Sequence, residues 1–194
     1  MNEHGIAFLQ TKFPEASFNS LSDLSASNQG ARCLNTETHV HSALLRAVNF
    51  DKVKEEWYQK RFHDQVKSCD ALYYHGGDYY LFEFKTGEVN SLDVFRKIYD
   101  SIIGLMEHGK LTLDECRRLL NVILIANNAE KSPNASLKSH LQMRTDWNYT
   151  MTKKFLETLK DNDIRRLTNY LVKWAYRMTP EDFEAFVQTK GWSN

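Results

Sequence analysis

Apolar positions change their spacing several times along the chain, and each change predicts an element. Residues 38–67 are mostly helix formers, with one apolar patch at Leu44, Leu45 and Val48 and another at Val53, Trp57 and Phe62, which predicts one or two helices. The stretch CDALYYHGGDYYLFEFKTG, residues 69–87, reads as two aromatic-rich strands around Gly76-Gly77. Paired glycines supply the positive φ of a tight hairpin turn. Helical spacing returns at Val94, Phe95, Ile98, Ile102, Leu105 and Met106, with Ser91 as the expected cap and Arg96, Lys97 and Asp100 on the opposite side. A short helix near residues 112–119 then leads into a continuously apolar run, residues 122–126, the pattern of a strand buried on both faces.

The flanks are less regular. Residues 1–36 read as a short N-terminal element followed by an Asn- and Ser-rich loop, and residues 127–148 as a long polar loop. The remainder is expected to be helical. Phe155, Leu156 and Leu159 lead to Ile164, Leu167, Tyr170, Leu171 and Trp174, and a final helix opens with Thr179 as cap and Pro180 at its first position. This divides the chain into an N-terminal element (1–36), an α/β core (37–127), a polar loop (128–148) and a C-terminal helical extension packed on the core (149–194).

Composition narrows the classes. The 194 residues are 42% hydrophobic and 26% charged, with a formal net charge of zero, so there is no global basic field and any anion-binding surface must be local. Cys33, Cys69 and Cys116 form no CxxC pair, which points to a reducing compartment. No stretch has the pattern of a signal peptide or the length of a membrane span, so a cytoplasmic location and no membrane partner are expected.

The hairpin carries the chemistry. A two-residue turn sets His75 against Asp78 and, counting outward, Asp70 against Glu83; a three-residue loop would break that register. Alternation puts Glu83 and Lys85 on one face and Phe82 and Phe84 on the other. Directly opposed side chains have Cβ atoms roughly 4.5–5.5 Å apart, and like charges so placed destabilise the pair. Either the face is solvated, or a cation bridges the two acids, since hard divalent ions prefer oxygen ligands. An ammonium on the same face, Lys85, suits orienting or deprotonating a water, the latter if its surroundings lower its pKa.

Asp70, about a dozen intervening residues and then Glu83-Phe84-Lys85 resemble the PD-(D/E)XK, or restriction-endonuclease-like, nuclease superfamily. The likeness extends to the order helix, hairpin, helix, buried strand over residues 38–127, with Cys69 standing where the motif has proline. The resemblance implies an α/β fold, a mixed sheet flanked by helices, and Mg²⁺ (with Mn²⁺ substituting) on Asp70, Glu83 and the Phe84 carbonyl. It also implies a helix glutamate, Glu55 or Glu56, as an added ligand, and Lys85 assisting the attacking water. The implied activity is metal-dependent phosphodiester hydrolysis, with DNA as partner, and a homodimer is among the assemblies it allows. The alternative is a catalytically inactive member of the fold serving as a nucleic-acid-binding or protein-interaction module.

Substrate contacts are expected from Arg96, Lys97 and Tyr99 on the helix after the hairpin, and from Lys131, Lys138 and Arg144 in the polar loop. His39 and His41 lack a cluster to complete a metal site and read as surface or helix-start residues. Lys153, Lys154, Arg165, Arg166, Lys173 and Arg177 are interleaved with acids, as on a salt-bridged face. The four tryptophans read as packing residues rather than stacking platforms.

Overall fold

Strand order follows chain order. In the computed structural model, which describes residues 3–27, 30–58, 66–87, 89–126, 167–168 and 170–192, six strands lie side by side as β1-β2-β3-β4-β5-β6. They are β1 (Phe18–Ser20), β2 (Arg46–Asn49), β3 (Ala71–His75), β4 (Asp78–Lys85), β5 (Leu120–Ala126) and β6 (Trp174–Met178). The first four form an antiparallel meander, while β5 and β6 join in parallel. The sheet is therefore mixed and open. Its turn from antiparallel to parallel pairing falls on β4, the strand that carries Glu83 and Lys85.

The hairpin forms in the expected register. Gly76 and Gly77 take φ of +60° and +92°, and His75 pairs with Asp78, Tyr74 with Tyr79 and Ala71 with Phe82. Period-two alternation then sorts β4: Tyr79 and Leu81 join one core, Tyr80, Phe82 and Phe84 the other. Strand β5 is buried along its whole length, because helices cover both faces.

Seven helices are present among the described residues. On one face, α1 (Glu3–Lys12), α4 (Phe50–Tyr58), α5 (Ser91–Glu107) and α6 (Leu113–Leu119) contribute Leu9, Val53, Ile98, Leu105 and Cys116 to the core. On the other, α2 (Leu21–Leu24), α3 (Val40–Leu44) and α7 (Pro180–Thr189) contribute Leu21, Ala43, Phe183 and Phe186. The result is an α/β/α layering. None of these helices is long and apolar enough to cross a membrane.

Helix starts follow their sequence signals. Thr112 and Glu115 form a reciprocal capping box on α6, and Thr179 caps α7 with Pro180 in its first turn. The cap of α5 lies one residue before the expected Ser91: the side chain of Asn90 accepts from the Asp93 N–H.

Three regions differ from the sequence reading. Residues 46–49 form a strand rather than continuing a helix, because Leu45 turns extended and Ala47 and Val48 become buried between β1 and β3. The Asn- and Ser-rich segment supplies the short strand β1 and helix α2. Trp174 lies in β6, not in a helix, and Leu167 and Leu171 lie in turns. Pairing with β5 decides that region, placing Trp174 and Tyr176 against the α7 layer and Ala175 against the other. The expected polar loop at 127–148, with Trp147, and the helix at 149–166 lie outside the described residues.

Candidate metal and catalytic centre

The ladder between β3 and β4 breaks at Asp70. Its N–H donates to the Phe82 carbonyl at 2.9 Å although Phe82 already pairs with Ala71, so two residues of one strand oppose one of the other. That is the count of a β-bulge, a device that re-aims a side chain. The direct opposition of Asp70 to Glu83 expected from the hairpin register is therefore not formed. Instead Asp70 Oδ2 accepts from the Phe84 N–H at 2.6 Å. Neighbouring backbone pins the bulge: the Asp70 carbonyl accepts from the Phe50 N–H at the start of α4, and the Cys69 N–H donates to Ser101 Oγ on α5.

The two acids nevertheless converge, on an ammonium. Lys97 Nζ lies 3.3 Å from Asp70 Oδ1, 2.9 Å from Glu83 Oε1 and 3.1 Å from Glu83 Oε2. Lys85 Nζ lies 3.0 Å from Glu83 Oε1 and 3.1 Å from Asp93 Oδ2. Glu83 is 0% exposed, so this is no solvated sheet face. Its Oε1, though close to both ammoniums, receives no well-directed hydrogen bond. Asp70, Lys85 and Lys97 line the floor of a cleft of about 420 Å³, walled by Ser25 and Ser27 after α2 and by Asp51 of α4.

Burial sets the electrostatics. Desolvation, then the neighbouring Asp70 charge, pushes the Glu83 carboxyl up to about 7, against the pull of Lys97 and Lys85. Asp70 is also raised by desolvation, with Lys97 and the Phe84 N–H opposing. Desolvation works against the Lys97 charge, but Asp70 and Glu83 outweigh it and its pKa rises. Lys85 behaves likewise: burial lowers it, Glu83 and Asp93 raise it more, and the net shift is upward. The expectation of a depressed Lys85 pKa is thus overturned; an ammonium between two carboxylates is stabilised, not neutralised.

Comparison with family models, curated proteins and solved structures finds no match. The site rests on its own geometry.

Asp70, Glu83, Lys85 and Lys97 come together, and the Phe84 main chain lies among them. The helix glutamates do not join them in the same way: Glu55 ion-pairs with Lys52 at 2.7 Å on the outer side of α4, and the α4 acid on the cleft is Asp51, which accepts from Ser68 Oγ. No group of three acid, histidine or cysteine side chains suited to a metal occurs among the described residues. Arg96 lies 3.7 Å from Asp100, and Tyr99 stacks on Phe95. Lys131, Lys138 and Arg144 lie outside the described residues. His39 stands buried at the N-cap position of α3 without a side-chain capping bond, and His41 follows within the helix; the His41 ring and backbone bond to Glu184 of α7. Trp57 and Trp192 are packing residues: Trp57 stacks on His108, and Trp192 is buried among Tyr80 and Phe186.

Sequence reasoning missed Asp93 and Asp51; it named Lys97 as a substrate contact but set it on the side of α5 opposite the apolar stripe. A signal existed for Lys97, which stands three residues after buried Val94 and four before buried Ser101, on the core-facing stripe.

The donor set fits a hard divalent ion. Its oxygen donors are the Asp70 and Glu83 carboxylates, which here hold two ammoniums, and Mg²⁺ is commonly held by one or two carboxylates while keeping its waters.

Proposed function

We propose that the chain is a metal-dependent nuclease of the PD-(D/E)XK kind, hydrolysing phosphodiester bonds in DNA. The observation that carries the reading is the convergence of Asp70 and Glu83 on one cation at a cleft, with Lys85 beside them. Helix α4, the hairpin β3-β4, the crossover through α5 and α6 and the parallel strand β5 add support, because the resemblance has the order helix, hairpin, helix, buried strand.

Asp70, Glu83 and the Phe84 carbonyl would hold Mg²⁺. A bound Mg²⁺ supplies Lewis acidity toward a phosphate and a more acidic water. Lys85 has its own part. Its raised pKa keeps it protonated, so it donates hydrogen bonds and offsets negative charge at the cleft rather than serving as a base. Asp93 and Glu83 fix its direction.

The test is cleavage of single-stranded, duplex and branched DNA, and of RNA, with Mg²⁺ or Mn²⁺ and with EDTA. Metal-dependent cleavage that falls about a hundredfold or more in Lys85→Ala is expected. A second reading, a catalytically inactive binding or interaction module, is favoured by one observation: three acids (Asp70, Glu83 and Asp93) and two lysines already pair with one another without a metal. Absence of both cleavage and Mn²⁺ binding would select it.

A further inference from the structure

The two lysines of the cluster are not held alike. Lys85 is shared between Glu83 and Asp93, and Asp93 stands at the first turn of α5, apart from the two acids proposed as ligands. Lys97 is held by Asp70 and Glu83 alone in the cluster, the same two acids. A divalent ion bridging those acids would therefore take both anchors of Lys97 and leave Lys85 one of its own. A dication attracts each carboxylate with twice the Coulomb energy of an ammonium at equal distance, and it repels an ammonium that stays beside it.

An exit exists. The Lys97 side chain is 19% exposed and borders the cleft, and its stem is long and flexible. Behind it, Glu83 Oε1 lies 3.0 Å from the Lys85 ammonium, so the acid keeps one cation beside it when Lys97 leaves.

We propose that Lys97 is an exchangeable counter-cation. Its ammonium balances Asp70 and Glu83 in the metal-free protein, and divalent metal displaces it into the cleft. Loading is then a competition between two cations for one pair of acids, and Lys97 sets the metal concentration at which the site fills. The proposal rests on the reading of the pair as a metal centre.

The experiment is calorimetric titration of Mn²⁺ into the wild-type chain, Lys97→Met and Lys85→Met. Removing the competitor should tighten Mn²⁺ binding at least about tenfold in Lys97→Met, and by distinctly less in Lys85→Met. In parallel, the side-chain ¹⁵N resonance of Lys97 in the wild-type chain should shift on saturation with Mg²⁺, a readout that stands even if Lys97→Met does not fold. Unchanged or weaker binding by Lys97→Met, or a Lys97 resonance unmoved by saturating Mg²⁺, would overturn the exchange while leaving the metal centre in place. No Mn²⁺ binding by the wild-type chain would remove the metal centre itself, and the exchange with it.

Discussion

Substituting Glu83 by Gln keeps the shape of a buried side chain and deletes its titration. In the folded protein the Glu83 carboxyl is pushed up to about 7 from an ordinary 4.5, chiefly by burial and then by Asp70. At low pH both the folded and the unfolded chain carry the protonated acid. As pH rises past 4.5 the unfolded chain releases that proton while the folded chain keeps it, so stability falls until about pH 7 and then levels. A shift of this size is worth on the order of 3 kcal/mol, and no solvent screening reduces it because Glu83 is fully buried. The assay is urea unfolding of the wild-type chain and Glu83→Gln in EDTA, from pH 4 upward. Their stability difference should move by on the order of 3 kcal/mol against the wild type between pH 4.5 and 7, and be flat on either side. Subtracting the variant removes the carboxyls that do not interact with Glu83, while Asp70, which does, titrates with it as a pair. A difference that is constant with pH, or that moves in favour of the wild type, would refute the account of Glu83 as a desolvated, repelled acid.

Four further outcomes are expected. Mn²⁺ affinity, measured by calorimetry, should rise with pH up to about 7 and then level, since the ion competes with the proton that Glu83 retains. Asp70→Asn should lower the unfolding free energy of the metal-free protein by about 1–3 kcal/mol, because an amide cannot both accept from Phe84 N–H and satisfy Lys97; urea melts decide it. Glu184 is held down at about 2, where hydrogen bonds from Ser42 and His41 overcome burial; the advantage of the wild type over Glu184→Gln in thermal melts should therefore be present at pH 7 and disappear as pH falls from 4.5 toward 2. Gly77→Val, at a φ of +92°, should cost about 1–2 kcal/mol in the same urea melts.

Most of the frame around the site is legible in the sequence for identifiable reasons. Gly76-Gly77 dictates a turn that few other pairs allow, the apolar run of β5 is continuous because both its faces are covered, and α6 and α7 announce themselves through side chains that cap their own backbones. The strands that escaped are short or disguised. Strand β2 has only two buried residues, and Leu171 and Trp174 fall at helical spacing by accident while the pairing of β6 with β5 decides its conformation. Asp70, Glu83 and Lys85 could be named from the hairpin, but the bulge that turns Asp70 away from Glu83 could not, because it depends on contacts with α4 and α5. The partners of Lys85 and Lys97 depend in the same way on where α5 docks.

The acids and ammoniums that meet at the cleft, Asp51 excepted, come from one hairpin and the helix that follows it, between Asp70 and Lys97. Strand β6, by contrast, pairs with β5 across a far longer stretch of chain, as Asn121 with Trp174. Closing the shorter loop sacrifices less chain entropy, so the charges are expected to find one another early in folding, in a hairpin and helix still bathed in water. Ion pairs form there at little cost. On that order, water is expected to leave when β5 docks along β4 and buries Glu83, after the ion pairs have formed. The order of assembly thus spares the chain a bare carboxylate in its core, and protection of β4 and α5 amides together, ahead of β6, is its signature in pulse-labelled hydrogen exchange.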